Sequence, residues 1–162
     1  MFKFATIGAF DNAVNVPYCK IPDAVTGKVF NGMGVTIDRK AGTMALTTAA
    51  TGKGDVYVVY NVQRTFNFDS SKDFHFEAGD MPLVYKLASL NGYEVEFSLD
   101  DTLVTGTLTD VTADKLLAYG VSGKLGVVTA ATGYAVWLKV IAVEGGIVRA
   151  EVVVNQPVVS AG

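Results

Sequence analysis

The chain is poor in the residues around which most enzymes and metal proteins are built. Its 162 residues hold one cysteine, Cys19, one histidine, His75, and one tryptophan, Trp137. A lone cysteine excludes an internal disulfide; Cys19 reads as a small, buried or half-buried hydrophobe in a protein folded under reducing conditions. One histidine and one cysteine cannot furnish the usual structural zinc sets or a histidine-rich catalytic metal. Any Ser-His-Asp or Cys-His arrangement would have to use His75, and its place between Phe74 and Phe76 reads instead as a surface or interface position. Charge is scarce as well, 18% of residues against an ordinary level of about 25%. The net charge is −3 and the Lys and Arg residues are scattered, so there is no basic stripe of the kind that displaces counterions from nucleic acid. No run approaches the ~18 apolar residues needed to span a bilayer, and the first ten residues are too broken by polar residues and glycine for a signal-peptide core. The expectation is a soluble protein assembled in the cytosol, with no membrane partner and no nucleic-acid partner.

What the chain does have is apolar β-pattern. Half of its residues are hydrophobic, and a weakly charged surface rich in Val, Ala, Thr and Gly is expected where neighbouring chains cover part of the exterior, with an apolar but monomeric β-domain as the alternative. From Gly34 onward short segments alternate. Val35 and Ile37 face a returning Met44 and Leu46. Residues 56–62 are apolar on both faces and read as a central or interface-covered strand. Leu83, Tyr85 and Leu87 are expected on one face of a strand. Asn91-Gly92 is a turn signal, and Tyr93, Val95, Phe97 and Leu99 then alternate strictly with Glu94, Glu96 and Ser98. Residues 103–109 read as a further strand, and 115–119 as a strand, or else a single helical turn, closed by residues 120–123 onto residues 125–128.

The organising stretch is 134–154, two strands around Glu144-Gly145-Gly146. A two-residue Gly-Gly turn would put Trp137, Lys139, Ile141 and Val143 on the face of Val148, Ala150, Val152 and Val154, and so bury Lys139. A three-residue loop instead sets Val136, Leu138, Val140 and Ala142 against the even residues of the second strand and puts Lys139 opposite Glu151. The second register is expected, because an unpaired buried ammonium costs several kcal/mol.

No window holds apolar residues at helical spacing for three turns. The fold class is therefore all-β, an antiparallel sandwich or barrel of many short strands with little or no helix, in one body or two small β-subdomains. Residues 1–30 lack clean periodicity and read either as an irregular first layer or as an arm docking on another subunit. Residues 31–162 form the β-domain. Within it the pentapeptide Thr-Ala-Ala-Thr-Gly at 48–52 recurs at 129–133, each copy between a glycine-led strand and a Val-rich one. This marks 31–80 and 115–155 as a candidate pseudo-repeat, with coincidence between two Ala/Thr-rich loops as the alternative.

The acids do not assemble a catalytic set. Asp69, Ser71, Asp73 and Asp80 have offsets like an EF-hand, but Phe74 stands where glycine is needed and Asp80 where a bidentate glutamate belongs. Asp100-Asp101 reads as a turn; Glu94 and Glu96 lie on the solvent face of their strand. Gly32-Met33-Gly34 and Gly52-Lys53-Gly54 lack the following helix that a phosphate site requires. No cofactor and no metal site is expected.

The order of pieces from residue 42 to about 154 resembles small phage virion proteins of the capsid-decoration kind. The resembling pieces are the Gly42-led strand and Ala/Gly loop before a Val/Tyr strand, then residues 77–82 leading into a Leu/Tyr strand. Residues 90–93 follow, then Gly123-Lys124-Leu125, and last the strand through Trp137 and Val140. The resemblance implies a non-enzymatic protein that binds the outside of an icosahedral shell and braces neighbouring major capsid subunits, often as a homo-oligomer. Its partner would be the major capsid protein and its location the virion exterior. Phe2, Phe4, Phe10, Tyr18 and Trp137 are the expected subunit or capsid contacts. The alternatives are another virion β-domain of a tail or head fibre, or a carbohydrate-binding or hydrolytic module using Trp137, Tyr57, Tyr60, Tyr93 and the acid pairs.

Overall fold

The computed structural model describes residues 2–4, 15–16, 19–25, 27–61 and 75–155. Its elements are short strands joined by turns and single 3-10 turns, as expected for an all-β chain. They are β1 (Phe2–Phe4), β2 (Asn15–Val16), β3 (Val29–Phe30), β4 (Gly34–Asp38), β5 (Thr43–Leu46), β6 (Tyr57–Val59), β7 (His75–Phe76), β8 (Val84–Lys86), β9 (Glu94–Ser98), β10 (Leu116–Tyr119), β11 (Leu125–Val128), β12 (Val136–Glu144) and β13 (Ile147–Val154). A six-stranded sheet has the order β1-β9-β13-β12-β10-β11, a five-stranded sheet the order β2-β8-β6-β4-β5, and β3 pairs with β7.

Both large sheets contain the same arrangement. A hairpin, β4–β5 or β10–β11, is followed by a third strand that returns to the hairpin's first member, and a fourth strand lies outside the third. The registers correspond: Val35 stands opposite Leu46 and Tyr57, as Leu117 stands opposite Val127 and Leu138. The edge strand of each hairpin also takes a parallel bridge from an earlier segment, Lys20 to Thr43 and Val104 to Leu125. The two Thr-Ala-Ala-Thr-Gly loops occupy the same place in the two arrangements, between second and third strands, and the residues that follow them meet. The Ala135 N–H donates to the Lys53 carbonyl at 2.8 Å, and the Lys53 ammonium stands 5.9 Å from the centre of the Tyr134 ring.

One contiguous core joins the sheets. Tyr119 is its pin: the ring covers Gly34, where a Cβ would come within 2.4 Å of it, and the hydroxyl donates to the Gly32 carbonyl at 2.7 Å. Complete burial pushes the phenol far above its usual range, so it stays a neutral donor. The β6 strand is buried along its whole length in the middle of its sheet, which is why its sequence is apolar on both faces.

The organising hairpin pairs Val136 with Val154, Leu138 with Val152, Lys139 with Glu151 and Val140 with Ala150, as expected. Its turn differs. Glu144 pairs with Ile147 across two residues, Gly145 and Gly146, at φ +56° and +77°, the positive pair that matches the right-handed twist of a tight hairpin. A β-bulge between Val140 and Ala142 absorbs the extra residue. Beyond it the alternation inverts, so Ala142 joins Arg149 rather than the core and Val143 faces Val148. Two other expectations are corrected. In β8 the buried side chain is Val84, while Leu83 is 37% exposed, because Val84 is the residue paired with Val59 on the core face. Residues 103–109 are no strand: Val104 makes one bridge and Leu108–Asp110 form a 3-10 turn.

Candidate interaction surface

The expected contact residues scatter. Phe2 is 3% exposed; its ring stacks on Phe97 at 6.3 Å between centroids and meets Tyr60 edge-on at 6.2 Å. It is part of this chain's own core, and β1 is a strand paired with β9, with Phe4 opposite Val95. Phe10 and Tyr18 lie outside the described residues, as do Asp69, Ser71 and Asp73 of the EF-hand-like run. Trp137 is half-buried on the outer face of the six-stranded sheet.

That outer face is divided. Toward β9 it is charged: Glu94, Glu96 and Glu151 lie beside Arg149 and Lys139, with Arg149 Nε 3.6 Å from Glu94 Oε2 and Lys139 Nζ 3.6 Å from Asp114 Oδ1. Toward β11 it is apolar. Val128 pairs with Leu116, Trp137 pairs with Val153, and all four are partly exposed. Leu116 stands opposite Lys139, so Trp137 is its diagonal neighbour on the same face, within reach of an aromatic side chain. The row crosses four consecutive strands. Sequence reading singled out Trp137 and missed its neighbours, because Leu116 and Val128 face outward only once the strand order is known.

The acids that could have served catalysis hold turns. Asp100 Oδ1 accepts from the Thr102 N–H at 3.0 Å, Asp80 Oδ2 from the Glu77 N–H at 2.8 Å, and Asp38 Oδ1 from the Lys40 and Ala41 N–H groups. His75, 15% exposed at its side chain, lies against the Phe30 ring with Nε2 3.5 Å from Glu77 Oε1. Cys19 is buried, and burial pushes its thiol up against a smaller opposing pull from Arg39. Among the described residues no three His, Cys, Asp or Glu side chains gather as metal ligands, and no helix is long and apolar enough to cross a membrane.

A second surface feature is a groove of about 480 Å³ lined by Phe30 of β3, Leu46 of β5 and loop residues from both halves of the chain. Its apolar floor is Phe30, Met33 and Leu46, and its rim carries Lys28, Lys124 and Asp101. Large apolar side chains are also left in water elsewhere, Met81 at 60% and Val121 at 61% exposure. Comparison of the chain with protein-family models, with curated proteins and with solved structures finds no match.

Proposed function

We propose that this chain is a non-enzymatic structural protein of a phage virion that binds the outside of the capsid and braces contacts between major capsid subunits, acting as a homo-oligomer. The observation that carries the reading is the apolar row Val128, Leu116, Trp137 and Val153 on the outer face of the six-stranded sheet. Partly exposed apolar side chains in a contiguous row are what a second polypeptide covers, and a β-sheet with a single core holds them in fixed positions. A shell partner needs no more than a modest contact from each copy, because simultaneous engagement of many copies multiplies affinity. The resemblance of residues 42–154 to capsid-decoration proteins supports the choice of a shell as partner.

The test uses purified chain and shells that lack it. Co-sedimentation should show saturable binding, decorated shells should withstand higher temperature than bare ones, and Trp137→Glu should abolish both effects while the free protein keeps its melting temperature. A chain that stays monomeric, ignores the shells and leaves their heat resistance unchanged would end the reading.

A further inference from the structure

The groove beside Phe30 and Leu46 has the size and chemistry of a site. Its roughly 480 Å³ lies within the usual range for ligand pockets. Its walls come from both halves of the chain: Gly27, Lys28, Phe30, Met33 and Leu46 on one side, Asp101, Thr102, Ser122 and Lys124 on the other. The second wall is held under strain. Ser122 sits at φ +58°, a left-handed conformation that non-glycine residues adopt at a cost and keep only when their surroundings enforce it. The enforcement is visible. Thr47 Oγ1 donates to the Gly120 carbonyl at 2.8 Å, the Gly123 N–H donates to the Thr47 carbonyl, and Gly123 is pressed so close to Gly34 that a Cβ would fall 2.8 Å from its carbonyl oxygen. The first half of the chain thus fixes Ser122 at the groove, where its hydroxyl has no hydrogen-bond partner among the described residues.

The polar groups are unevenly charged. The Lys124 ammonium donates to the Asp101 main-chain carbonyl, which anchors it at the rim. The exposed Lys28 ammonium has neither hydrogen bond nor ion pair among the described residues. Two ammonium groups against the one Asp101 carboxylate leave the rim net positive in a molecule whose net charge is −3. We propose that this groove binds an extended acidic peptide segment of a partner polypeptide. An apolar side chain rests on Phe30, Met33 and Leu46, the neighbouring carboxylate is held by Lys28 and Lys124, and Asp101 accepts a main-chain N–H that sets the peptide's direction. The proposal rests on the reading of this chain as a binder of other polypeptides, and not on that polypeptide being a capsid subunit.

The test is a titration of the isotope-labelled full chain, followed by amide NMR shifts, with a capped phenylalanyl-glutamate dipeptide and its glutamine and lysine counterparts. The acidic peptide should move the Gly27, Met33, Ser122 and Lys124 amides and saturate in the millimolar range. The glutamine peptide should bind about tenfold more weakly, the worth of one charge-assisted contact, and the lysine peptide should leave the groove unchanged. Lys28→Glu should weaken the acidic peptide by at least about tenfold at an unchanged melting temperature. Equal binding of the glutamate and glutamine peptides, shifts confined to other surfaces, or an unaffected Lys28→Glu variant would overturn the proposal. Peptide binding by a chain that ignores shells would leave the groove standing and remove the capsid reading; shell binding without any response to the peptides would do the reverse.

Discussion

In the half of the molecule that ends with β13, the third strand of the shared arrangement reaches its outer neighbour through two glycines; in the half that ends with β8, it does so only after residues 60–83. The strand order is the same, but the means of specifying it are opposite. Between β12 and β13 the turn and the bulge at Ile141 set the register from within the hairpin itself. Between β6 and β8 no local signal is available, and side-chain amides do the work. Asn61 Oδ1 accepts from the Leu83 N–H at 3.1 Å and its Nδ2 donates to the Leu83 carbonyl at 3.3 Å. Asn31 clasps Asn61 from the other side, accepting its N–H and donating to its carbonyl, both at 2.9 Å. A pairing that the chain reaches locally can rely on backbone geometry, whereas a distant one needs a clasp.

The two Thr-Ala-Ala-Thr-Gly loops carry the same contrast to a single residue, and the largest effect is expected there. In the first copy Thr48 and Thr51 exchange hydroxyl-to-backbone hydrogen bonds, and the turn they make presses Gly52 on the other half: an added Cβ would stand 1.9 Å from the Tyr119 carbonyl oxygen. In the second copy Gly133 has open space around it and only its φ of +87° to satisfy. Gly52→Ala should therefore cost about 3 kcal/mol, since rigid backbone must move to admit it. Gly133→Ala should cost about 1 kcal/mol, the ordinary penalty of a left-handed position. Urea unfolding of both variants measures the difference; equal losses would mean that the first loop is not wedged between the halves.

The clasp gives the next effect. Asn61→Ala removes the two side-chain hydrogen bonds to Leu83 and keeps the main-chain groups that Asn31 binds; about 1.5 kcal/mol should be lost at this partly exposed site. Hydrogen exchange should show the loss concentrated in Val84 and Tyr85, with the β12–β13 amides still protected. Uniform loss of protection across both sheets would mean that the clasp stabilises the fold as a whole and does not act on the distant pairing.

The same contrast governs how much could be read from the residues beforehand. Alternation revealed the strands with one wet face, such as β9, where Val95 and Phe97 are buried and Glu94 and Glu96 half-exposed. Lys139 was enough to select the hairpin register, because charge burial outweighs turn preference. The bulge was invisible: Val140, Ile141, Ala142 and Val143 are all apolar, so no residue marks where alternation inverts. Leu83 misled for the related reason that Leu83 and Val84 are equally apolar, and only the partner Val59 decides which is covered. The repeated pentapeptide was visible as letters, yet its two roles depend on which side of each loop meets the other half. The groove was beyond reach, because Lys28 and Lys124 are brought to one rim by packing of the halves and by no spacing in the chain.

The smallest expected effect tests the register itself. Lys139 stands opposite Glu151 and 3.6 Å from Asp114, with about half of its side chain in water. An ion pair so exposed contributes little after screening and side-chain entropy, so Lys139→Ala should change stability by less than about 1 kcal/mol. The effect should shrink further in high salt. Had the two-glycine turn run straight through without the bulge, Lys139 would face the core, and its replacement by alanine would relieve a buried charge and stabilise the protein by several kcal/mol. The sign of the change in unfolding midpoint thus separates a bulged hairpin from a slipped one: near zero or slightly negative for the bulge, strongly positive without it.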